Sequence, residues 1–270
     1  MPVTTPPAQT PRSRGAGSLP ALRAIWALIL REMSSSYGRS PGGYLWAFLE
    51  PVGGIALLTL VFSLTFHAPP LGASFALFYA TGLLPFMLFS DVQAKIAQAL
   101  IYSRALLAYP AVSFLDALIA RFLLNTLTKL LVSYAVLAGC LLLLDTGARP
   151  DPARILEAYA LGALLALGIG VLNCYLFIRF PVWAHGWSIL MRPMFIVSGV
   201  FFLVDHLPEP VARLLWFNPL VHVIGRLREG IYSGYRPDYV SPAYVVGISL
   251  CCLALGLMLL RNSYRDLLAR

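Results

Sequence analysis

The chain has 270 residues, 59% hydrophobic and only 12% charged, with 20 lysines and arginines against 12 acids. A soluble domain carries about 25% charged residues, so a soluble fold of this length is excluded for want of polar side chains to cover it. The net charge of +8 gathers at the ends of apolar runs, the pattern of membrane topology and contact with membrane lipids, and nucleic acid is excluded as a partner.

Residues 1–20 carry Pro2, Pro6, Pro7, Pro11 and Pro20 among Ser, Thr and Gly. This composition predicts a disordered tail, and it lacks the early apolar core of a signal peptide. Residues 21–43 are expected to hold an amphipathic helix lying in the membrane interface. Leu22, Trp26, Ile29 and Leu30 share one face, with Arg23 and Arg31 off it.

A bilayer crossing needs about 20 apolar residues. No Asp, Glu, Lys or Arg occurs between Glu50 and Asp91, and His67-Ala68-Pro69-Pro70-Leu71-Gly72 breaks that window in two. The charge-free windows predict an all-α integral membrane protein with six transmembrane helices inside a domain spanning 44–265. The spans fall at about 44–66, 74–93, 122–144, 157–178, 183–204 and 239–260. Lys129 lies in the third, and Arg192-Pro193 interrupts the fifth.

Basic residues alternate between the loops. Arg12, Arg14, Arg23, Arg31 and Arg39 precede the first span; Lys95, Arg104 and Arg121 follow the second; Arg179 follows the fourth; Arg261, Arg265 and Arg270 end the chain. The positive-inside rule then places both termini in the cytoplasm. Between spans five and six, Leu214 to Gly225 is free of charge but too short to cross. Two arrangements fit segment 207–235. It either re-enters the membrane as helices broken at Asn218-Pro219 and lines a pathway, or lies as an amphipathic helix on the outer surface. Cys140, Cys174, Cys251 and Cys252 sit in apolar runs without ligand spacing and read as small packing residues, so no metal site is expected.

Three separated stretches resemble a known family. They are Tyr37-Gly38-Arg39 followed by Gly42-Gly43-Tyr44-Leu45-Trp46-Ala47-Phe48-Leu49-Glu50-Pro51; Gly82-Leu83-Leu84-Pro85-Phe86; and Trp216-Phe217-Asn218-Pro219-Leu220-Val221-His222-Val223 with Arg228-Glu229 and Gly234-Tyr235. In this order, over about residues 20–265, they are similar to the permeases of ABC-type capsular polysaccharide exporters, group 2 type. The resemblance implies a pair of permease chains working with two copies of an ATP-binding subunit, in the bacterial inner membrane. ATP and Mg would be bound by that subunit, and this chain, not an enzyme itself, would hold no cofactor. The cargo implied is a lipid-linked acidic polysaccharide, passed to a periplasmic adaptor and an outer-membrane channel. Re-entrant helices between spans five and six are also implied. Lys129 and the proline-rich tail depart from the family pattern. O-antigen and teichoic-acid permeases share the topology and remain alternatives for the cargo.

The residues agree that the energy source is elsewhere. The chain has no GxxxxGK[ST] phosphate loop. Ile101 to Asp116, with Arg104, Tyr109, Pro110 and Asp116, reads as a coupling element toward an ATPase or as a plain connection, with Pro110 forcing a turn. Intramembrane charge costs about 2.5–3.5 kcal/mol at a helix centre, so each case needs a reason. Arg192 either faces a pathway and attracts anionic lipid heads or acidic sugars, or snorkels to headgroups; Lys129 is expected to snorkel. Glu50 is expected to pair with Arg39 or a base on another span, a proton relay being the alternative. Tyr37, Tyr44, Trp46, Phe86, Trp183, Trp187, Trp216 and Tyr235 form interfacial belts or stack on sugar rings. By resemblance, residues such as His222, Arg226, Arg228 and Glu229 stand at an outer gate; from the residues themselves, Arg228 and Glu229 either form a pair that holds the gate or contacts the exported chain, or belong to a solvated surface. A membrane glycosyl- or acyltransferase would need paired carboxylates or a metal cluster, and Asp205-His206 has no further ligand beside it. A gradient-driven carrier would show inverted halves, and none is evident.

Overall fold

The computed structural model describes residues 25–33, 43–107, 113–144 and 146–269. The proline-rich tail, Leu22, Arg23, Tyr37, Arg39, Tyr109 and Pro110 lie outside the described residues, as does the side chain of Tyr44. Among the described residues the only regular structure is helical. The helices are α1 (25–33), α2 (Gly43–Thr65), α3 (Phe75–Ala97), α4 (Ala99–Tyr102), α5 (Arg104–Leu107), α6 (Phe114–Leu143), α7 (Pro152–Arg179), α8 (Pro181–Val197), a 3-10 turn (Val204–His206), α9 (Glu209–Trp216), α10 (Pro219–Ile231) and α11 (Pro242–Ala269).

Local chemistry sets the helix starts. Ser74 Oγ accepts the Leu77 N–H at 3.4 Å at the head of α3. Ser113 and Asp116 form a reciprocal capping box on α6, at 2.9 and 3.2 Å. Asp151 caps α7 through Ala153 and Arg154. Pro152, Pro181 and Pro219 open α7, α8 and α10, where a missing N–H costs nothing. Asp116 is therefore buried and spent on its own helix terminus.

Five of these helices are long and apolar enough to cross a membrane: Leu45–Thr65, Phe75–Ala97, Phe114–Leu143, Pro152–Arg179 and Pro242–Ser263. Helix α3 is the centre, with 72% of its apolar window buried in the chain, whereas α2 has 11%. Helix α7 joins it in the interior, packing on α3, α10 and α11. Helix α8 has 17 residues and none is buried. At 1.5 Å per residue it is roughly 26 Å long, just short of the roughly 30 Å hydrocarbon core of a bilayer. It stops at Val197 because Gly199, at φ +84°, turns the chain back toward α3. Gly82 on α3 is what admits that turn: a Cβ there would lie 2.9 Å from the Val200 Cα.

One intramembrane charge departs from expectation. Lys129 does not snorkel: it is mostly buried and forms an ion pair with Asp91 on α3, which gives the ammonium a partner inside the bundle. Glu50 is exposed and makes no ion pair with a base on another span among the described residues, and its other expected partner, Arg39, lies outside them. Cys251 also departs from the packing role, since it is exposed on α11.

Candidate functional site

The richest polar chemistry lies where α9 and α10 meet the ends of α3, α7 and α11. The two helices are a broken pair. Helix α9 ends at Trp216, and Asn218 caps α10 by accepting the Leu220 N–H at 3.0 Å. The Asn218 amide also donates to Ser198 Oγ at 3.1 Å and to the Val197 carbonyl at 3.4 Å, fastening the break to the end of α8. Helix α9 buries nothing, whereas α10 buries residues around its whole circumference, including Leu220, His222, Ile224, Leu227, Arg228 and Ile231. A helix lying on a surface buries one stripe only, so α10 is an interior helix, wedged against α3 and α7.

His222 is fully buried. Its Nε2 lies 2.7 Å from the Trp216 carbonyl, and the Ser241 N–H donates to its Nδ1 at 3.1 Å. A carbonyl only accepts and an N–H only donates, so the ring is the neutral tautomer with the proton on Nε2. Trp216 and Tyr244 flank it, their ring centroids 4.6 Å apart and their planes tilted by 36°. Trp216 donates to the Tyr239 carbonyl at 3.1 Å, and Tyr244 donates to the Phe217 carbonyl at 2.8 Å. Trp216 is thus locked in the joint between α9 and α11. Beside it opens a cleft of about 560 Å³ lined by Asp205, Glu209, Arg213, Trp216, Phe217 and Tyr239.

Arg228 and Glu229 do not pair. Arg228 is 1% exposed and donates to the Phe202 carbonyl at 2.9 Å and the Val200 carbonyl at 3.1 Å. Its guanidinium lies 4.3 Å from the Phe78 ring centroid. Glu229 faces the other way and joins Arg226 at 2.6 Å and Arg154 at 2.9 Å. Arg226 also holds Glu157 at 2.5 Å, and Arg154 reaches Asp151 at 3.3 Å. The backbone adds a bond from the Asp151 N–H to the Gly230 carbonyl at 2.7 Å. This network clamps α10 to the start of α7. Adjacent helix residues diverge by about 100°, while residues three apart are neighbours, which explains why Glu229 takes Arg226 rather than Arg228.

The other named residues are scattered. Arg192 is exposed on α8, and Trp46 is 60% exposed on α2. Phe86 is buried, 5.1 Å from Phe195, so it is a packing residue rather than a belt residue. Trp183 is held at the head of α8 by donating to Asn173 Oδ1 at 2.9 Å, and Asn173 in turn donates to Gln93 at 3.5 Å. Tyr235 donates to Asp205 at 2.7 Å. Arg104 is exposed on α5.

At the opposite end of the bundle α1 is docked edge-on. Trp26 and Leu30 are 63% and 61% exposed, while Leu28 and Glu32 are buried. Glu32 and Arg121 form a buried ion pair at 3.1 Å. Sequence reading missed this pair, together with Asp151, Arg154, Glu157, Asn173 and Tyr244. The signal available was a lone acid on an apolar helix, which requires a base from somewhere in the fold.

Residues 23–232 match the membrane family described as ABC-2 type transporter. The polysialic acid transport protein KpsM of Escherichia coli is 32% identical over 238 residues, covering 88% of this chain and 92% of that protein. The capsule polysaccharide export inner-membrane protein CtrC of Neisseria meningitidis serogroup A is 29% identical, covering 87% and 89%. The corresponding protein BexB of Haemophilus influenzae is 27% identical, covering 89% and 91%.

Proposed function

The chain belongs to the ABC-2 type transporter membrane family, and from that premise we propose that it is the permease subunit of an exporter of lipid-linked capsular polysaccharide. The observation that carries this is the likeness to KpsM, CtrC and BexB along nearly nine tenths of the chain. It is supported by apolar helices of membrane-crossing length and by the absence of a phosphate loop from the sequence. A separate ATP-binding subunit, in two copies on a permease pair, would bind ATP and Mg and supply the energy. A periplasmic adaptor and an outer-membrane channel would receive the polymer.

In this reading α8 also crosses, as the fifth of six spans, and both termini face the cytoplasm of the cell that carries the protein in its inner membrane. The basic clusters at the α1 end support that orientation. Helices α9 and α10 then re-enter from the outer side, with Trp216, His222, Arg226 and Glu229 at the gate. Arg104, Tyr109 and Pro110 would serve coupling to the ATPase, and Asp116 fixes the start of α6. Arg192, exposed on a helix that buries nothing in its own chain, faces the pathway and attracts anionic cargo.

Two measurements check this. Reporters fused at the two ends are expected on the same side of the membrane, as an even number of crossings requires; opposite sides would leave α8 outside the count of spans. Permease and ATP-binding subunit reconstituted in vesicles are expected to move lipid-linked polymer only while ATP is hydrolysed. Arg192→Ala is expected to slow that movement by about tenfold, corresponding to the loss of one charge-assisted contact. Polymer movement without the ATP-binding subunit would sink the proposal.

A further inference from the structure

Arg121 sits at the meeting point of four segments. Its Nε donates to Glu32 on α1 at 3.1 Å, and its Nη1 donates to the Lys95 carbonyl in the last turn of α3 at 2.8 Å. Its Cζ lies 4.1 Å from the centroid of the Tyr102 ring at the end of α4. Arg31 of α1 covers the same ring at 5.5 Å. Asn125, one turn further along α6, donates to the Arg121 carbonyl at 2.8 Å. Both members of the ion pair are 6% exposed in their side chains. A buried pair adds little net stability over apolar packing, but it fixes geometry, because either charge alone is costly. Nothing comparable is needed merely to float an amphipathic helix at an interface, where Trp26 and Leu30 would suffice.

We infer that Glu32 and Arg121 are positioning residues for energy coupling: their buried pair locks α1, the α4–α5 segment and α6 into one body. A push on the α4–α5 segment then moves α6 and α1 together instead of bending the joint. This rests on the proposed function, which supplies the ATPase that pushes. Glu32 and Arg121 need not touch nucleotide or cargo; they act through the backbone that they hold.

The test uses the full chain with its ATP-binding subunit in vesicles, reading polymer exported per ATP hydrolysed. Glu32→Ala is expected to lower that ratio at least about fivefold while hydrolysis persists. Glu32→Gln, whose amide oxygen still accepts from Arg121, is expected to recover most of it. A purely structural role would lower abundance, hydrolysis and export together and leave the ratio unchanged. Should Glu32→Ala fail to accumulate, Arg121→Lys carries the same test, because an ammonium keeps the charge but cannot span Glu32 and the Lys95 carbonyl while stacking on Tyr102. An unchanged ratio in the variant that accumulates overturns the inference. Wild-type chain that exports nothing with ATP and partner overturns the proposed function instead.

Discussion

Arg228→Met is expected to lose stability by about 3 kcal/mol or more, from two orphaned carbonyls and an imperfectly filled site. The guanidinium is the largest fully buried side chain among the described residues. It satisfies Val200 and Phe202 in the turn that follows α8 and rests on the face of Phe78. Methionine keeps most of the stem but offers no donor. Lysine keeps the charge without the planar fork, so Arg228→Lys should fall between the two. Thermal unfolding of the purified protein in detergent reads the effect, and export should fall further than stability. The turn at 198–203 is the only covalent tie between α8 and the α9–α10 pair, so a loosened turn uncouples Arg192 from the proposed gate. If Arg228→Met melts with the wild type, the turn is held by Gly82 and Gly199 geometry alone.

What the sequence revealed and concealed follows one physical rule. Local signals were legible. Charge-free windows marked the long apolar helices, and the turn chemistry of Asn218-Pro219 marked the break between α9 and α10. The three-residue step from Arg226 to Glu229 is a helical spacing that the sequence carries, but the sequence reading did not pair them. Pairing Arg228 with Glu229 ignored the same rule, since neighbours in sequence point apart on a helix. Partners fixed only by tertiary packing were hidden. Lys129 meets Asp91, and Arg121 meets Glu32, across stretches of chain that no periodicity links. The outward face of α1 was read from Trp26 and Leu30, while its inward face, carried by Leu28 and Glu32, was invisible until α6 was placed beside it.

Gly168→Val is expected to cost more than Arg228→Met. Helices α7 and α11 cross so closely that a Cβ on Gly168 would lie 2.2 Å from the Ser249 carbonyl oxygen and 3.0 Å from its carbon. From the other side, a Cβ on Gly256 would lie 2.7 Å from the Leu172 nitrogen. Both obstacles are backbone, which cannot swing aside as a side chain can, so the helices must separate along their length. In lipid, small residues that let backbones meet are a principal source of helix association, and overpacking costs about 1–3 kcal/mol even where side chains can yield. Helix α10 packs on both α7 and α11, and Tyr244 on α11 holds the Phe217 carbonyl, so separation would carry the proposed gate with it. Gly168→Ala should already fail to reach wild-type abundance in membranes. Gly53→Ala on α2 is the control: nothing lies within 4 Å of its Cβ position, and alanine is the better helix former by about 1 kcal/mol. Abundance and unfolding temperature compared across these variants decide the matter. A Gly168→Val protein as abundant and stable as Gly53→Ala would mean that α7 and α11 do not make this contact.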